Sequence, residues 1–135
     1  MGGSRPKQYL PLAGATVIEW ALGVLLDHQG LVRVAVALAP GDDTFGGLAL
    51  AGDERIRPVR GGSTRADSVR AGLAALDDCE PDIPVLVHDA ARPCLQRADL
   101  ERLLAVAGEP DGALLAVPVR DTLKRAGPEK RVTET

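Results

Sequence analysis

Apolar positions recur along the chain with two different spacings, which predict helices and strands in alternation. Thr16 and Glu19 fit a capping box, in which Thr16 is the N-cap and Glu19 reaches back to its amide. Apolar residues then recur at helical spacing from Ile18 to about Gln29, and Gly30 follows as a stop. The pattern therefore predicts one amphipathic helix near the start of the chain.

Two short runs with the composition of strands come next. Residues 32–39 are rich in valine and alanine and end at Pro40. Residues 55–59 form a second run, in which Pro58 favours a sheet edge or a strand end. The loose segment over residues 42–50, between the two runs, leaves room for one or two helical turns.

The second half of the chain continues the alternation. Residues 82–87 are almost entirely apolar, as in a strand buried on both faces, and residues 112–117 form another apolar run. Helices on either side of the first run are marked by Val69, Leu73 and Leu76 and by Leu100, Leu103, Leu104 and Ala107. Strands alternating with helices predict a single α/β domain over residues 1–135, with a parallel sheet and helices on both faces.

Composition narrows the possible functions. Hydrophobic residues are 45% but aromatic residues only 2%, so the core is expected to consist of alanine, valine and leucine. A formal net charge of −3 argues against nucleic-acid binding. The sequence has no secretory pattern and no apolar run of transmembrane length, and Cys79 and Cys94 lack metal-site spacing. We therefore expect a soluble cytoplasmic protein, without a membrane partner and with two free thiols.

Three polar stretches follow predicted strands, at the edge where open α/β sheets bind ligands. The first covers residues 61–68, where paired glycines let a ligand approach the backbone and polar side chains can read a base or ribose. The candidate residues are Gly61, Gly62, Ser63, Arg65 and Ser68. The alternative is a glycine turn in which Ser63 or Thr64 is a plain helix N-cap and Thr64 pairs with Asp67 in a capping box.

The second stretch is HDAARP at residues 88–93. Asp89, where a buried strand ends, is placed to hold a divalent cation, and Arg92 is placed to pair with a phosphate. Its small neighbour Ala90 leaves room for a flat ligand. The alternative is a helix-capping Asp89 with a solvated Arg92, and we interpret His88 as structural rather than catalytic.

The third stretch, residues 118–125, alternates in charge and is typical of a solvated hairpin. The sequence contains neither the G-x-x-x-x-G-K-[ST] loop nor a G-x-G-x-x-G fingerprint after a strand. No Ser-His-Asp arrangement stands out. Nucleotide binding, if present, must therefore use a different loop.

Four motifs occur in one order: PKQYL at residues 6–10, GGSTRADSV at 61–69, HDAARP at 88–93 and PVRDTLK at 118–124. Together they resemble the 2-C-methyl-D-erythritol 4-phosphate cytidylyltransferases over essentially the whole chain. The resemblance implies a Rossmann-like, three-layer nucleotidyltransferase fold with a mostly parallel sheet. It also implies transfer of a cytidylyl group from CTP to methylerythritol phosphate, with Mg²⁺ as cofactor, in isoprenoid precursor synthesis.

The resemblance assigns roles to individual residues. It implies that Lys7 is catalytic, that Asp89 places Mg²⁺ and the substrate, and that Arg92 faces methylerythritol phosphate. Thr122 belongs to an arm beginning over about residues 118–135, which reaches the active site of a partner, so a homodimer is implied. The nucleotide contacts fall on Gly61, Gly62, Ser63, Arg65, Ser68 and Ala90.

The sequence departs from the family pattern in two ways. Many relatives have aspartate where Ser63 stands, so its contact is expected to come from the backbone. The first strand and glycine-rich loop of the family, and its last strand and helices, lie beyond the residues present. The resemblance thus predicts a domain truncated at both ends, with residues 1–4 as the tail of that loop. The alternatives are a cytidylyltransferase for another polyol phosphate, such as ribitol 5-phosphate, or a catalytically incomplete fragment that is inactive alone.

Overall fold

A computed structural model describes residues 5–135, and the interpretation of residues 1–4 lies outside them. Within the described residues, no helix is long and apolar enough to span a membrane. Three short 3₁₀ turns cover Lys7–Tyr9, Phe45–Gly47 and Ala49–Gly52. The α-helices are α1 (Val17–Leu26), α2 (Arg65–Ala74) and α3 (Arg97–Leu104).

Six short strands pair two by two within the same residues. They are β1 (Pro11–Leu12) with β2 (Ala15–Thr16), β3 (Val34–Leu38) with β4 (Ile56–Arg60), and β5 (Arg125–Ala126) with β6 (Val132–Glu134). The β3–β4 pair is parallel, with Val34 opposite Ile56 and Leu38 opposite Arg60, and the other two pairs are antiparallel. The predicted strands at 32–39 and 55–59 are thereby confirmed, and the loop between them contains the predicted helical turns.

Helix α1 begins at the predicted capping box. The Thr16 Oγ1 accepts a hydrogen bond from the Glu19 amide at 3.4 Å, and Glu19 Oε2 accepts one from the Thr16 amide at 2.7 Å. The helix ends at Leu26, earlier than predicted. The cause is that the amide of His28 bonds to the carbonyl of Leu25 at 3.1 Å, which tightens the last turn and directs the chain away.

The main hydrophobic core lies between α1 and the β3–β4 pair. Its buried members are Tyr9, Ile18, Leu22, Val36, Phe45 and Ile56. The expectation of a core of small aliphatic residues is wrong in one respect, because the rings of Tyr9 and Phe45 are each only 1% exposed. Two large rings fill volume that alanine and valine would leave empty, so a chain with few aromatic residues places two of them at its centre.

The predicted strands at residues 82–87 and 112–117 do not form. Both segments lack regular secondary structure, and their apolar side chains are exposed, with Val85 at 52%, Leu114 at 79% and Val117 at 86%. A strand requires a partner for its backbone groups, and neither segment has one within residues 5–135. The predicted three-layer fold with one mostly parallel sheet is therefore not seen in the described structure, where β3 and β4 alone pair in parallel.

The tail of the chain, over residues 118–135, is exposed except for Gly127. It runs without regular structure to Arg125, where the β5–β6 hairpin begins. An ion pair between Arg125 Nη1 and Glu134 Oε2 at 2.7 Å joins the two strands. The hairpin expected at residues 118–125 thus lies further along the chain, because the tight turn forms after Gly127.

Asp53 and Arg55 tie the loop before β4 to the end of α1. Arg55 donates to the two carboxylate oxygens of Asp53 at 3.0 and 2.7 Å, and to the carbonyl of Leu26 at 2.9 Å. The side-chain hydrogen bonds from Arg55 lower the pKa of Asp53 to about 2.

We predict that Asp53→Asn lowers the free energy of unfolding near neutral pH and that this effect disappears toward low pH. A carboxyl whose pKa is lower in the folded chain stabilises the fold above its unfolded pKa of roughly 3.9. That contribution is lost as the pH falls through about 2. Urea unfolding near neutral pH and again near pH 2, followed by fluorescence of the single tryptophan Trp20, measures the free energy of unfolding of both proteins. Asp77→Asn, at an exposed position, is the charge-matched control; equal losses in the two variants would contradict the prediction.

Candidate active site

The carboxyl ends of β3 and β4 lie at the same edge because the two strands are parallel. The Gly61 amide, just after β4, donates to the carbonyl of Leu38 at 2.7 Å and so extends the pairing by one bond. The chain leaves β3 through Pro40 and Asp42 at this same edge. Two polar loops therefore meet where an open α/β sheet binds its ligands.

Close packing requires glycine at both positions of the Gly61–Gly62 pair. A Cβ on Gly61 would lie 3.0 Å from Ser68 Oγ and 3.1 Å from the Leu38 carbonyl oxygen. A Cβ on Gly62 would lie 2.1 Å from the Cβ of Asp67, a distance that real atoms do not adopt. The loop is thus pressed against the first turn of α2, whereas the close approach of a ligand to these glycines stays a prediction.

The Asp67 amide, in the first turn of α2, is already bonded within its own loop. Thr64 Oγ1 accepts from the Asp67 amide at 3.1 Å, which confirms the predicted N-cap, and Ser68 Oγ accepts from the Gly62 amide at 3.1 Å. Hydrogen bonds from the hydroxyls of Thr64 and Ser63 hold the pKa of Asp67 below its usual range. With a carboxylate at the helix start, this loop disfavours a phosphate and favours a neutral ligand such as a base or ribose.

Asp89 lies between two arginines. Arg65, at the start of α2, donates to its Oδ1 from Nη2 at 3.0 Å and from Nε at 3.3 Å, and Arg92 Nε is 2.8 Å from its Oδ2. The hydrogen bonds from Arg65, and then the charges of both arginines, lower the pKa of Asp89, so its carboxyl is ionised near neutral pH. This contact joins the glycine loop to the HDAARP motif.

The HDAARP motif forms a compact turn around Asp89. The amide of Arg92 donates to the carbonyl of Asp89 at 3.0 Å, and His88 Nε2 lies 3.0 Å from the carbonyl oxygen of Arg92. His88 therefore braces the turn, which agrees with a structural role. Ala90 is exposed at the tip, where its small side chain leaves the carboxylate accessible.

Lys7 and Thr122 lie apart from this charge cluster. Lys7 begins the first 3₁₀ turn and Thr122 lies in the extended tail, and both are exposed. In the described part of the chain, neither side chain makes a hydrogen bond or an ion pair with Asp89, Arg65 or Arg92. The structure thus brings together the predicted residues of the second and third motifs, while the first and fourth motifs are carried by separate elements.

The residues present fit Mg²⁺ only in partnership with a substrate. Within residues 5–135, no group of three or more histidine, cysteine, aspartate or glutamate side chains is placed to hold a metal ion. Mg²⁺ is commonly held by one or two carboxylates together with substrate phosphates and water. The ionised carboxylate of Asp89 meets that requirement once a phosphate supplies the other ligands.

Sequence analysis assigned no role to Asp42, which fixes the loop after β3. Its Oδ1 accepts hydrogen bonds from the amides of Thr44 and Phe45 at 3.1 and 3.2 Å. An aspartate placed just before these two amides is typical of an Asx turn, and that local signal was available in the sequence. Its other partner, the hydroxyl of Tyr9, is 33 residues away, and no local pattern indicates it.

A parallel strand pair, a glycine loop closed onto a helix, and an arginine-flanked carboxylate beside that loop are features of an α/β protein with a polar site at the carboxyl edge of its parallel strands. The family model "IspD: 2-C-methyl-D-erythritol 4-phosphate cytidylyltransferase" matches residues 1–135. The chain belongs to this family, and the resemblance drawn from the four motifs is confirmed.

Individual proteins similar to this chain carry the name of the same family. The 2-C-methyl-D-erythritol 4-phosphate cytidylyltransferase of Ectopseudomonas mendocina is 55% identical over 139 residues, covering 100% of this chain and 59% of the relative. The crystal structure of the Thermus thermophilus enzyme of that name is 36% identical with a TM-score of 0.71, covering 96% of this chain and 58% of its own. The crystal structure of the Francisella tularensis enzyme is 29% identical with a TM-score of 0.78, and the match covers 98% of this chain and 59% of the Francisella chain. The chain therefore spans somewhat more than half the length of these relatives.

We predict that Gly62→Ala destabilises the fold by about 1–3 kcal/mol, because the added methyl group must displace the first turn of α2. Gly46→Ala is the matched control, since a Cβ there meets nothing within 4 Å. It should change the free energy of unfolding by no more than about 0.5 kcal/mol. Urea unfolding measures both values, and a Gly62→Ala effect as small as that of Gly46→Ala would contradict the packing described here.

Proposed function

We propose that the protein transfers the cytidylyl group of CTP to 2-C-methyl-D-erythritol 4-phosphate and releases pyrophosphate, a step in isoprenoid precursor synthesis. Membership of the family supports this reaction. The observation that carries the proposal is the contact between Arg65 and Asp89 at 3.0 Å, which joins the nucleotide motif to the substrate motif in one site. Cys79 and Cys94 are both free thiols, which fits a reducing cytoplasm.

The glycine loop is the side of the site that holds cytidine. Because Gly61 and Gly62 carry no side chain, the loop lies directly against the first turn of α2, and this packing fixes where its backbone faces a ligand. The amides of both glycines are already bonded internally, and the Asp67 carboxylate occupies the helix start, so the triphosphate lies elsewhere. Ser63 and Ser68 complete this side of the site, and Ala90 leaves the space between the loop and Asp89 open.

Arg65 and Arg92 supply the positive charge that two phosphorylated substrates need. Their side chains are 69% and 76% exposed, so their ion pairs with Asp89 are weak and readily exchanged. A phosphate that pairs bidentately with Arg92 offers it a stronger partner than the carboxylate. The Asp89 carboxylate then becomes available to a divalent cation, which when bound neutralises phosphate charge.

The chemical step is an in-line displacement without a covalent enzyme intermediate. A phosphate oxygen of methylerythritol phosphate forms a bond to the α-phosphorus of CTP, and the bond to the β-phosphate oxygen breaks, so that pyrophosphate leaves with the electron pair. Such a reaction depends on positioning and charge stabilisation rather than on a protein nucleophile. Lys7 places its ammonium group where negative charge builds up on the triphosphate.

The finer architecture belongs to the same proposal. Residues 82–87 and 112–117 expose the apolar side chains of buried strands, and we infer that they join β3 and β4 in one mostly parallel, three-layer sheet. The tail over residues 118–135 is a projecting arm that brings Thr122 to the site of a second copy, so the active form is a homodimer. Exposure of the apolar Val119 and Leu123, at 64% and 68%, supports an arm that is covered by a partner.

Pyrophosphate release tests the proposed function directly. The protein expressed from its complete coding sequence is mixed with CTP and Mg²⁺ and with either methylerythritol phosphate or ribitol 5-phosphate. We expect release with the first acceptor only. Release with ribitol 5-phosphate but not with methylerythritol phosphate would show that the protein is a cytidylyltransferase for another polyol phosphate. No release with either acceptor would reject the proposed function. The same assay on residues 1–135 tests the expectation that this segment is inactive alone.

We predict that Lys7→Ala lowers kcat by about a hundredfold or more and leaves CTP affinity much less affected, because its charge acts mainly in the transition state. Steady-state kinetics in CTP separate the two effects. Arg97→Ala, which removes a positive charge from the exposed start of α3 and lies outside the proposed site and arm, is the control. An unchanged kcat in Lys7→Ala would remove Lys7 from the mechanism.

We predict that Asp89→Asn raises the Mg²⁺ concentration needed for half-maximal turnover by about tenfold or more, because a neutral amide is a poor ligand for this ion. Asp77→Asn, in the exposed turn after α2, is the matched control. Titration of turnover with Mg²⁺ measures the change. An unaltered Mg²⁺ requirement in Asp89→Asn would contradict the role given to this carboxylate.

A further inference from the structure

One polar contact outside the charge cluster joins two segments that are distant in the sequence. The hydroxyl of Tyr9 donates to Asp42 Oδ2 at 2.7 Å. Tyr9 is the single tyrosine of the chain and is 1% exposed, and Asp42 is half-buried. A buried hydroxyl with a charged acceptor forms one of the stronger kinds of hydrogen bond in proteins.

Asp42 is itself rigidly held at the carboxyl edge of the sheet. Its second oxygen, Oδ1, accepts from the amides of Thr44 and Phe45, and the ring of Phe45 is buried in the core. Asp42 follows β3 after a turn in which its amide donates to the carbonyl of Ala39 at 3.1 Å. The carboxylate is therefore a fixed point at the edge where the candidate site lies.

At the other end of the contact, Tyr9 closes the turn that carries Lys7. The Tyr9 amide donates to the carbonyl of Pro6 at 3.0 Å, and the Leu10 amide donates to the carbonyl of Lys7 at 3.2 Å. The side chain of Lys7 is exposed, and it makes no ion pair in the part of the chain that the structure describes. Its location is therefore set by the backbone of this turn.

We propose that Tyr9 and Asp42 are positioning residues, which hold the Lys7 turn against the carboxyl edge of the β3–β4 pair. The ring of Tyr9 provides buried apolar contact, and its hydroxyl selects one orientation of the turn by bonding to Asp42. The inference rests on the proposed function, because the Tyr9–Asp42 hydrogen bond affects the reaction only if Lys7, whose position it fixes, is catalytic.

The Tyr9 hydroxyl does not act as a pH switch near neutral pH. Burial, and then the hydrogen bond to Asp42, raises the pKa of Tyr9 above its usual range. The hydroxyl therefore keeps its proton and remains a donor in neutral and moderately alkaline solution.

A double-mutant cycle with Lys7 tests the proposal in the protein expressed from its complete coding sequence. Tyr9→Phe removes the hydroxyl and keeps the ring, and should lower kcat by about ten- to a hundredfold while KM for CTP changes far less. In the Lys7→Ala background the same change should cost less than about twofold. Asp42→Asn keeps an acceptor oxygen and should retain more activity than Asp42→Ala. An equal loss in both Lys7 backgrounds, or no loss at all, would overturn the proposal.

Amide hydrogen exchange supplies a readout that does not depend on the reaction. In Tyr9→Phe the Leu10 amide, which donates to the Lys7 carbonyl, should exchange about tenfold faster or more, whereas the Gly61 amide in the sheet should keep its rate. Unchanged exchange at Leu10 would refute the anchoring. If the unmodified protein releases no pyrophosphate, the proposed function fails, but faster exchange at Leu10 alone would still support the anchor. Faster exchange at both amides would indicate general loss of stability and would count against it.

Discussion

The parallel pairing of β3 with β4 is the interaction on which the candidate site depends. Because both strands run in the same direction, the loops that follow them leave from one edge, and the Gly61 amide closes that edge by bonding to the Leu38 carbonyl at 2.7 Å. Three parts of the candidate site are attached there: the glycine pair, the start of α2, and through Arg65 the carboxylate of Asp89. An antiparallel pairing would have sent the two loops to opposite edges.

The ion pairs of Asp89 can be replaced by other partners at a small cost in free energy. Asp89 is held by two arginines that remain largely exposed, and exposed ion pairs of this kind contribute roughly 0–1 kcal/mol. In the proposed function such weak contacts are an advantage, since each arginine can leave the carboxylate for a substrate phosphate without a large penalty. The Tyr9–Asp42 bond is different, because it is partly buried and connects two backbone segments that are distant in the sequence, which suits an anchor.

Sequence reasoning succeeded where local chemistry decides the structure. Three features depend only on residues close together in the sequence, and each appears in the structure. They are the capping box of Thr16 and Glu19, the N-cap at Thr64 and the valine-rich strand before Pro40. At residues 82–87 the described structure has no strand, because hydrophobicity indicates burial but only a partner strand can supply it. In the site, the motifs identified the residues, whereas the contact of Arg65 with Asp89 and that of Tyr9 with Asp42 arise from tertiary structure that no local pattern reveals.

The central claim is that Lys7, the glycine loop and the turn at Asp89 surround one nucleotide. Titration of the complete protein with CTP and Mg²⁺, followed through its assigned backbone amide NMR signals, tests this most directly. The account predicts that the amides of Lys7, Gly62 and Ala90 shift together along one binding curve. Shifts confined to one of these segments, or centred on the β5–β6 hairpin with all three unmoved, would contradict it.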